Sequence, residues 1–227
     1  MAHYFKFRTC EKKNFESLEL NLIYASKMDF FNDPFEMVCW ESENPTVAER
    51  AYYNSLQSHL KMRFNNRAFH CVSCSENDDF VCDNFLMWAH YTNGHKGFCI
   101  AYNEHLLDGL DEDKLSDGYC KVEYRDELPD LPEDGNDQTF LNVIKTKSKV
   151  WEYEHELRMI YRGDGLKQLG DNVVDAIYLG CKIPNSDKQI LMGISKRLGV
   201  KCYQMKVNSI TNRLEREEVD LSKVVVE

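Results

Sequence analysis

Glu154 and Glu156 are the residues of this chain whose type and spacing best suit chemistry. They lie in the run Trp151-Glu152-Tyr153-Glu154-His155-Glu156-Leu157-Arg158, which continues into Met159-Ile160-Tyr161. Leu157, Met159 and Tyr161 alternate with Arg158, Ile160 and Arg162, which reads as a strand, and residues two apart on a strand share a face. Two carboxylates side by side at a strand entrance are either an ion-paired surface or the polar end of a site. In a site, one such carboxylate moves a proton or stabilises positive charge, and Arg158 is placed to neutralise either one.

A second group gathers at one helix-to-strand turn: Trp88, His90, Tyr91, His95 and Lys96. Trp88 and Trp151 have a bland reading as core anchors, and His90 reads equally as a bonded core histidine or a working one. His70, Cys71, Cys74, Cys82, His90 and His95 fall close enough together to raise a zinc site. However, Cys71 and Cys74 lie three apart on a strand-like run and so face opposite sides. Free thiols and no metal are the expectation. In Asn32-Asp33-Pro34-Phe35-Glu36, Asn32 and Asp33 either line a site or hold a buried turn, and Asp33 and Glu36 lean towards turn and cap.

The elements that must position these groups follow from pattern. His3–Arg8 alternates aromatic and polar as a half-buried strand, with Tyr4, Lys6 and Arg8 on one face. A short helix over residues 11–20 and a strand over 22–26, carrying Tyr24 and Ser26, complete an opening unit. Thr46 with Glu49 is a capping box for a helix to about Met62. Strands are expected over 69–74, 96–102, 119–124, 173–180 and 201–207, with Val224–Val226 as an edge strand. Helices are expected over 85–91 (capped by Asp83 or Asn84), over 139–149, and from a cap at Pro184-Asn185-Ser186 to about Leu198. In the helix over 139–149, the basic end Lys145, Lys147 and Lys149 complements the dipole. Residues 108–137 are acid-rich and read as a solvated loop around the strand at 119–124. The sum is eight or nine strands and four or five helices in a single α+β domain over residues 1–227, with a mixed, mostly antiparallel β core flanked by helices.

Composition narrows the classes. The 227 residues carry 28 basic and 38 acidic side chains, a formal charge of -10, which argues against wrapping duplex nucleic acid. There is no apolar run of membrane-spanning length, and Met1-Ala2-His3-Tyr4 begins no signal peptide. Nine cysteines without a secretory signal are expected as reduced thiols in a cytoplasmic protein.

Four pieces in order carry a resemblance: Tyr4-Phe5-Lys6-Phe7-Arg8, Asn32-Asp33-Pro34-Phe35-Glu36, Met87-Trp88-Ala89-His90-Tyr91 with His95-Lys96-Gly97-Phe98, and Trp151 to Arg158. Together they resemble a bacterial domain-of-unknown-function family, number twenty-nine seventy-one, from residue 4 to about 180. Phe7 stands where a tyrosine often does. More distantly, an arginine on the first strand, a serine or tyrosine on the second and a Glu-x-Glu before a later strand are similar to ADP-ribosyltransferases. That similarity implies NAD as substrate, Glu156 as the catalytic carboxylate and Glu154 as the group that orients or deprotonates a macromolecular acceptor. It also implies Arg8 in the working site, holding a phosphate or ribose of the dinucleotide. The Trp88, His90, Tyr91 and Lys96 cluster has no fixed place in that arrangement. Here it would line the acceptor side or the nicotinamide pocket, with His90 as a further catalytic group. Lys6, Tyr24, Ser26, Asn32, Asp33, Trp88, Tyr91, His95, Lys96 and Arg158 would bind the nucleotide, in a toxin or an anti-phage defence effector. Two alternatives stay open: a metal-dependent nuclease or hydrolase built on Asp33, Glu36, Glu154 and Glu156, and a non-catalytic nucleotide- or peptide-binding module.

Overall fold

The aromatic-polar alternation at the start of the chain forms a strand as expected, and most later patterns do the same. A computed structural model describes residues 3–36, 44–77, 79–127, 129 and 137–224. Its strands are β1 (His3–Arg8), β2 (Leu22–Ala25), β3 (Arg67–Ser75), β4 (Phe98–Tyr102), β5 (Asp111–Glu112), β6 (Gly118–Lys121), β7 (Glu123–Arg125), β8 (Thr146–Ser148), β9 (Glu156–Arg162), β10 (Gly165–Gln168), β11 (Val174–Leu179), β12 (Lys201–Asn208) and β13 (Arg213–Glu218). The helices are α1 (Lys12–Glu19), α2 (Val47–Phe64), α3 (Phe80–Asp83), α4 (Phe85–Tyr91), α5 (Asp137–Lys145) and α6 (Asn185–Leu198). The fold is α+β, with a mixed, mostly antiparallel sheet flanked by helices. The contacts fall into two compact units. Unit 1 is Met1–Ile23, Val72–Asp108 and Lys167–Glu227, and unit 2 is Tyr24–Cys71 and Gly109–Leu166.

In unit 1 the strands run in the order β13-β12-β11-β4-β1, with the end of β3 beyond β1. Only β11 and β12 are parallel among these pairs, and α6 makes their crossover. Cross-strand register sorts the two faces. Phe7, Cys99, Tyr178 and Tyr203 form one row, and Arg8, Phe98 and Leu179 form the next, on the other face. Phe15 of α1 stacks on Phe98 at 5.8 Å, whereas Trp88 of α4 meets Phe7 edge-on at 5.2 Å. Thus α1 covers the Arg8 face and α4 covers the opposite one. At Gly97 a Cβ would come within 2.0 Å of the Arg8 carbonyl, so only glycine lets β1 pass there.

In unit 2 the strand order is β3-β9-β6-β5, and β7 pairs in parallel with β8. Leu56, Leu60 and Phe64 of α2, Phe69 of β3, Cys120 of β6, Ile160 of β9 and four residues of α5 (Phe140, Leu141, Val143 and Ile144) form one buried cluster. The Thr46 capping box is complete: Glu49 N–H donates to Thr46 Oγ1 at 3.2 Å, and Thr46 N–H donates to Glu49 Oε2 at 2.7 Å.

Three expectations need correction. The helix over 139–149 ends at Lys145, and Thr146–Ser148 is a strand, so only Lys145 lies at its C-terminal end. The run from Trp151 is not strand throughout, because a 3-10 helix holds Lys149–Glu154 and β9 starts only at Glu156. The strand over 119–124 breaks at Val122 into β6 and β7. Residues 225 and 226 of the expected edge strand, and Asp130, Pro132, Glu133, Asp134 and Gly135 of the acidic loop, lie outside the described residues.

Candidate functional site

Five charged side chains converge inside unit 2. Arg158 is 0% exposed, and the side chains of Lys147, Glu36, Glu154 and Glu156 are 4–6% exposed. Arg158 Nε donates to Glu156 Oε1 at 2.9 Å, and its Nη2 donates to both oxygens of Glu36 at 2.9 and 2.7 Å. Arg158 Nη1 donates to the Ile144 carbonyl at 2.7 Å, satisfying one of the orphan acceptors at the end of α5. Lys147 Nζ donates to Glu154 Oε2 at 2.6 Å and Glu156 Oε2 at 2.7 Å, and lies 3.3 Å from Glu36 Oε1. Three carboxylates therefore face two cations, so the fully ionised cluster carries one net negative charge.

Local structure explains how they meet. On β8, Lys147 points inward between Thr146 and Ser148. Glu154 ends the 3-10 helix and Glu156 opens β9, with His155 between them in the left-handed region at φ 46°. That left-handed residue joins the 3-10 helix to β9, and both carboxylates reach one lysine although they do not share a strand. Glu156 N–H donates to the Tyr124 hydroxyl at 2.7 Å, and its carbonyl accepts from Val122 N–H at 2.9 Å. Glu36 is presented by an Asx turn in which Asp33 Oδ1 accepts from Phe35 N–H at 2.9 Å and the Asp33 carbonyl accepts from Glu36 N–H. The Cys71 thiol adds to the influences that lower Glu156. Aromatic faces complete the lining, with Trp151 5.2 Å from Lys147 Nζ and Phe31 5.5 Å from the Arg158 guanidinium.

The electrostatics separate the carboxylates. Burial alone would raise Glu156, but Arg158 and Lys147 overcome it and hold Glu156 well below the usual carboxylate range. Burial raises Glu36, against the pull of Arg158 and with added repulsion from Glu156. Burial works against the Lys147 ammonium, yet the three carboxylates keep its pKa raised. Environments that push neighbouring carboxylates apart let one stay ionised while another accepts a proton.

Of the residues singled out from sequence, Glu154, Glu156 and Arg158 are in this centre, and Asp33 supports it through the turn. Also in unit 2, Tyr24 is exposed with its carbonyl 3.0 Å from a His70 ring nitrogen, Ser26 bridges Phe69 through the backbone, and Asn32 is exposed. Lys6, Arg8, Trp88, His90, Tyr91, His95 and Lys96 are in unit 1. There Trp88 is fully buried and donates its indole N–H to the Val81 carbonyl at 2.8 Å, as a core anchor does. His95 stacks on it at 6.5 Å, His90 and Lys96 are exposed, and Arg8 lies on the other sheet face from Trp88. Cys71 of the raised zinc cluster falls in unit 2 and Cys74 in unit 1. Among the described residues no group of three His, Cys, Asp or Glu side chains is arranged to hold a metal ion.

Sequence reasoning missed Lys147, Tyr124 and Cys71 as site residues, and it left Glu36 to the metal alternative. The available signal was charge balance, since two inward carboxylates demand buried cations. That demand does not choose between Lys145, Lys147 and Lys149.

Residues 87–159 match the family model described as protein of unknown function (DUF2971). The resemblance drawn from sequence is thereby borne out over that stretch, which contains both the Trp88 turn and the Lys147–Arg158 run. The description carries no activity. No curated protein and no solved structure matches the chain. Among the described residues no helix is long and apolar enough to cross a membrane.

Proposed function

We infer that unit 2 carries an NAD-consuming activity of ADP-ribosyltransferase type, with Glu156 as its catalytic carboxylate. The observation behind this reading is that Glu156 is buried between Arg158 and Lys147, which hold its carboxyl below the usual carboxylate range, within a cluster of three carboxylates and two cations. Cleavage of a nicotinamide–ribose bond develops positive charge on the sugar, and a fixed anion in a dry site stabilises that charge far better than water does. Glu154, on the same lysine, orients or deprotonates the acceptor, a macromolecule in this reading. In this reading the enzyme is a toxin or an anti-phage defence effector. Incubation with NAD releases free nicotinamide, and Glu156→Gln lowers the rate by about 10²–10³ with the fold retained by circular dichroism. No nicotinamide at any protein concentration sinks the reading.

The closure of all five charged groups against one another favours a second reading, a nucleotide-binding module without turnover. Saturable NAD binding by calorimetry, with no nicotinamide released, selects it.

A further inference from the structure

Four of the five charged groups in the unit 2 centre come from one short run, Lys147 to Arg158, and Glu36 alone is brought from a distant part of the chain. It arrives at the end of residues 31–36, a stretch of bends and turns held by Asp33. Its carboxylate takes Arg158 Nη2 with both oxygens and approaches Lys147 Nζ. An arginine and a lysine converging on one carboxylate is the way proteins hold the oxyanion of a ligand. Without Glu36, Arg158 and Lys147 face Glu154 and Glu156 in charge balance, and one carboxylate-sized position on the two cations stands open.

Two further features mark Glu36 as displaceable. Phe30 and Phe35 beside it are 78% and 60% exposed, so this segment leaves large apolar surface uncovered. Its charge is also less supported than that of Glu156, since burial and Glu156 leave its pKa raised whereas that of Glu156 is lowered.

We propose that Glu36 is a built-in plug. It fills an oxyanion site formed by Arg158 and Lys147, which accepts a singly charged carboxylate or phosphate ester once the Asp33–Glu36 turn withdraws. This rests on the reading of the centre as a substrate site and names the substrate group held there.

Thermal unfolding of the full chain at constant ionic strength tests it, with chloride, formate or dimethyl phosphate as the added anion. Glu36→Ala shows a saturable rise in Tm with formate or dimethyl phosphate, at an apparent dissociation constant about tenfold or more below that of the unsubstituted protein. The stronger of the two responses tells carboxylate from phosphate ester. Glu36→Asp, one methylene shorter, responds in the same direction but less, and decides the matter if the alanine variant does not fold. A folded variant that responds to both oxyanions no more than to chloride overturns the proposal. Anion binding without nicotinamide release keeps the plug and discards the transferase. Nicotinamide release without an anion response does the reverse.

Discussion

Glu36 and Glu156 share Arg158, yet their surroundings move them in opposite directions, and that gives the centre a signed pH dependence. The folded value of Glu156 lies below its ordinary 4.5, so its contribution is present above that value and lost as pH falls. Glu36 is raised, so its contribution is complete below 4.5 and lost as pH rises through the folded value. Glu36→Gln keeps the shape and removes only the second term. In urea unfolding between about pH 4 and 8, the stability of the variant relative to the unsubstituted protein should move in the variant's favour with rising pH and then level off. Movement the other way would show that folding lowers the Glu36 pKa and does not raise it. Part of this was legible in the sequence: the Glu154/Glu156 pair and Arg158 stand within five residues of one another. Lys147 was not, and Glu36 entered only as a candidate metal ligand, because its pairing with Arg158 depends on folding that brings residue 36 to residue 158.

At the scale of elements, the left-handed residue His155 does what strand periodicity was expected to do. It joins a 3-10 helix to β9 and turns both glutamates towards Lys147. A β-branched side chain is strongly disfavoured at φ 46°, whereas asparagine tolerates that region. His155→Val should lower stability by about 1–3 kcal/mol and His155→Asn by clearly less, read from urea midpoints. Equal losses would place the effect in the side chain's contacts and not in the backbone. Elements with alternating apolar residues or a capping signal were readable in advance, including β1, β11 and α2 with its Thr46–Glu49 box. The β13 strand was missed because Arg213-Leu214-Glu215-Arg216-Glu217-Glu218 has one buried residue, Leu214, and otherwise faces solvent at the sheet edge. The β8 strand was missed because three residues are too few to show a period.

At the scale of the whole molecule, local pattern has no access to which distant stretches share a core. Unit 2 is assembled from Tyr24–Cys71 and Gly109–Leu166, and its buried cluster takes Leu56, Leu60, Phe64 and Phe69 from the first stretch and Phe140, Leu141, Val143 and Ile144 from the second. The stretch that matches the family model, residues 87–159, cuts across this division. It takes part of unit 1 and most of the second stretch of unit 2, but none of α2 or β3. Loss of a large buried apolar side chain costs about 2–5 kcal/mol, so forfeiting four of them equals or exceeds the ~5–15 kcal/mol that hold a domain together. An isolated polypeptide of residues 87–159 should therefore show no cooperative urea transition by circular dichroism. One joining residues 24–71 to 109–166 through a short flexible linker should show one. A sharp transition in the 87–159 polypeptide would mean that the matched stretch folds alone and that the charged centre does not need Glu36 to form.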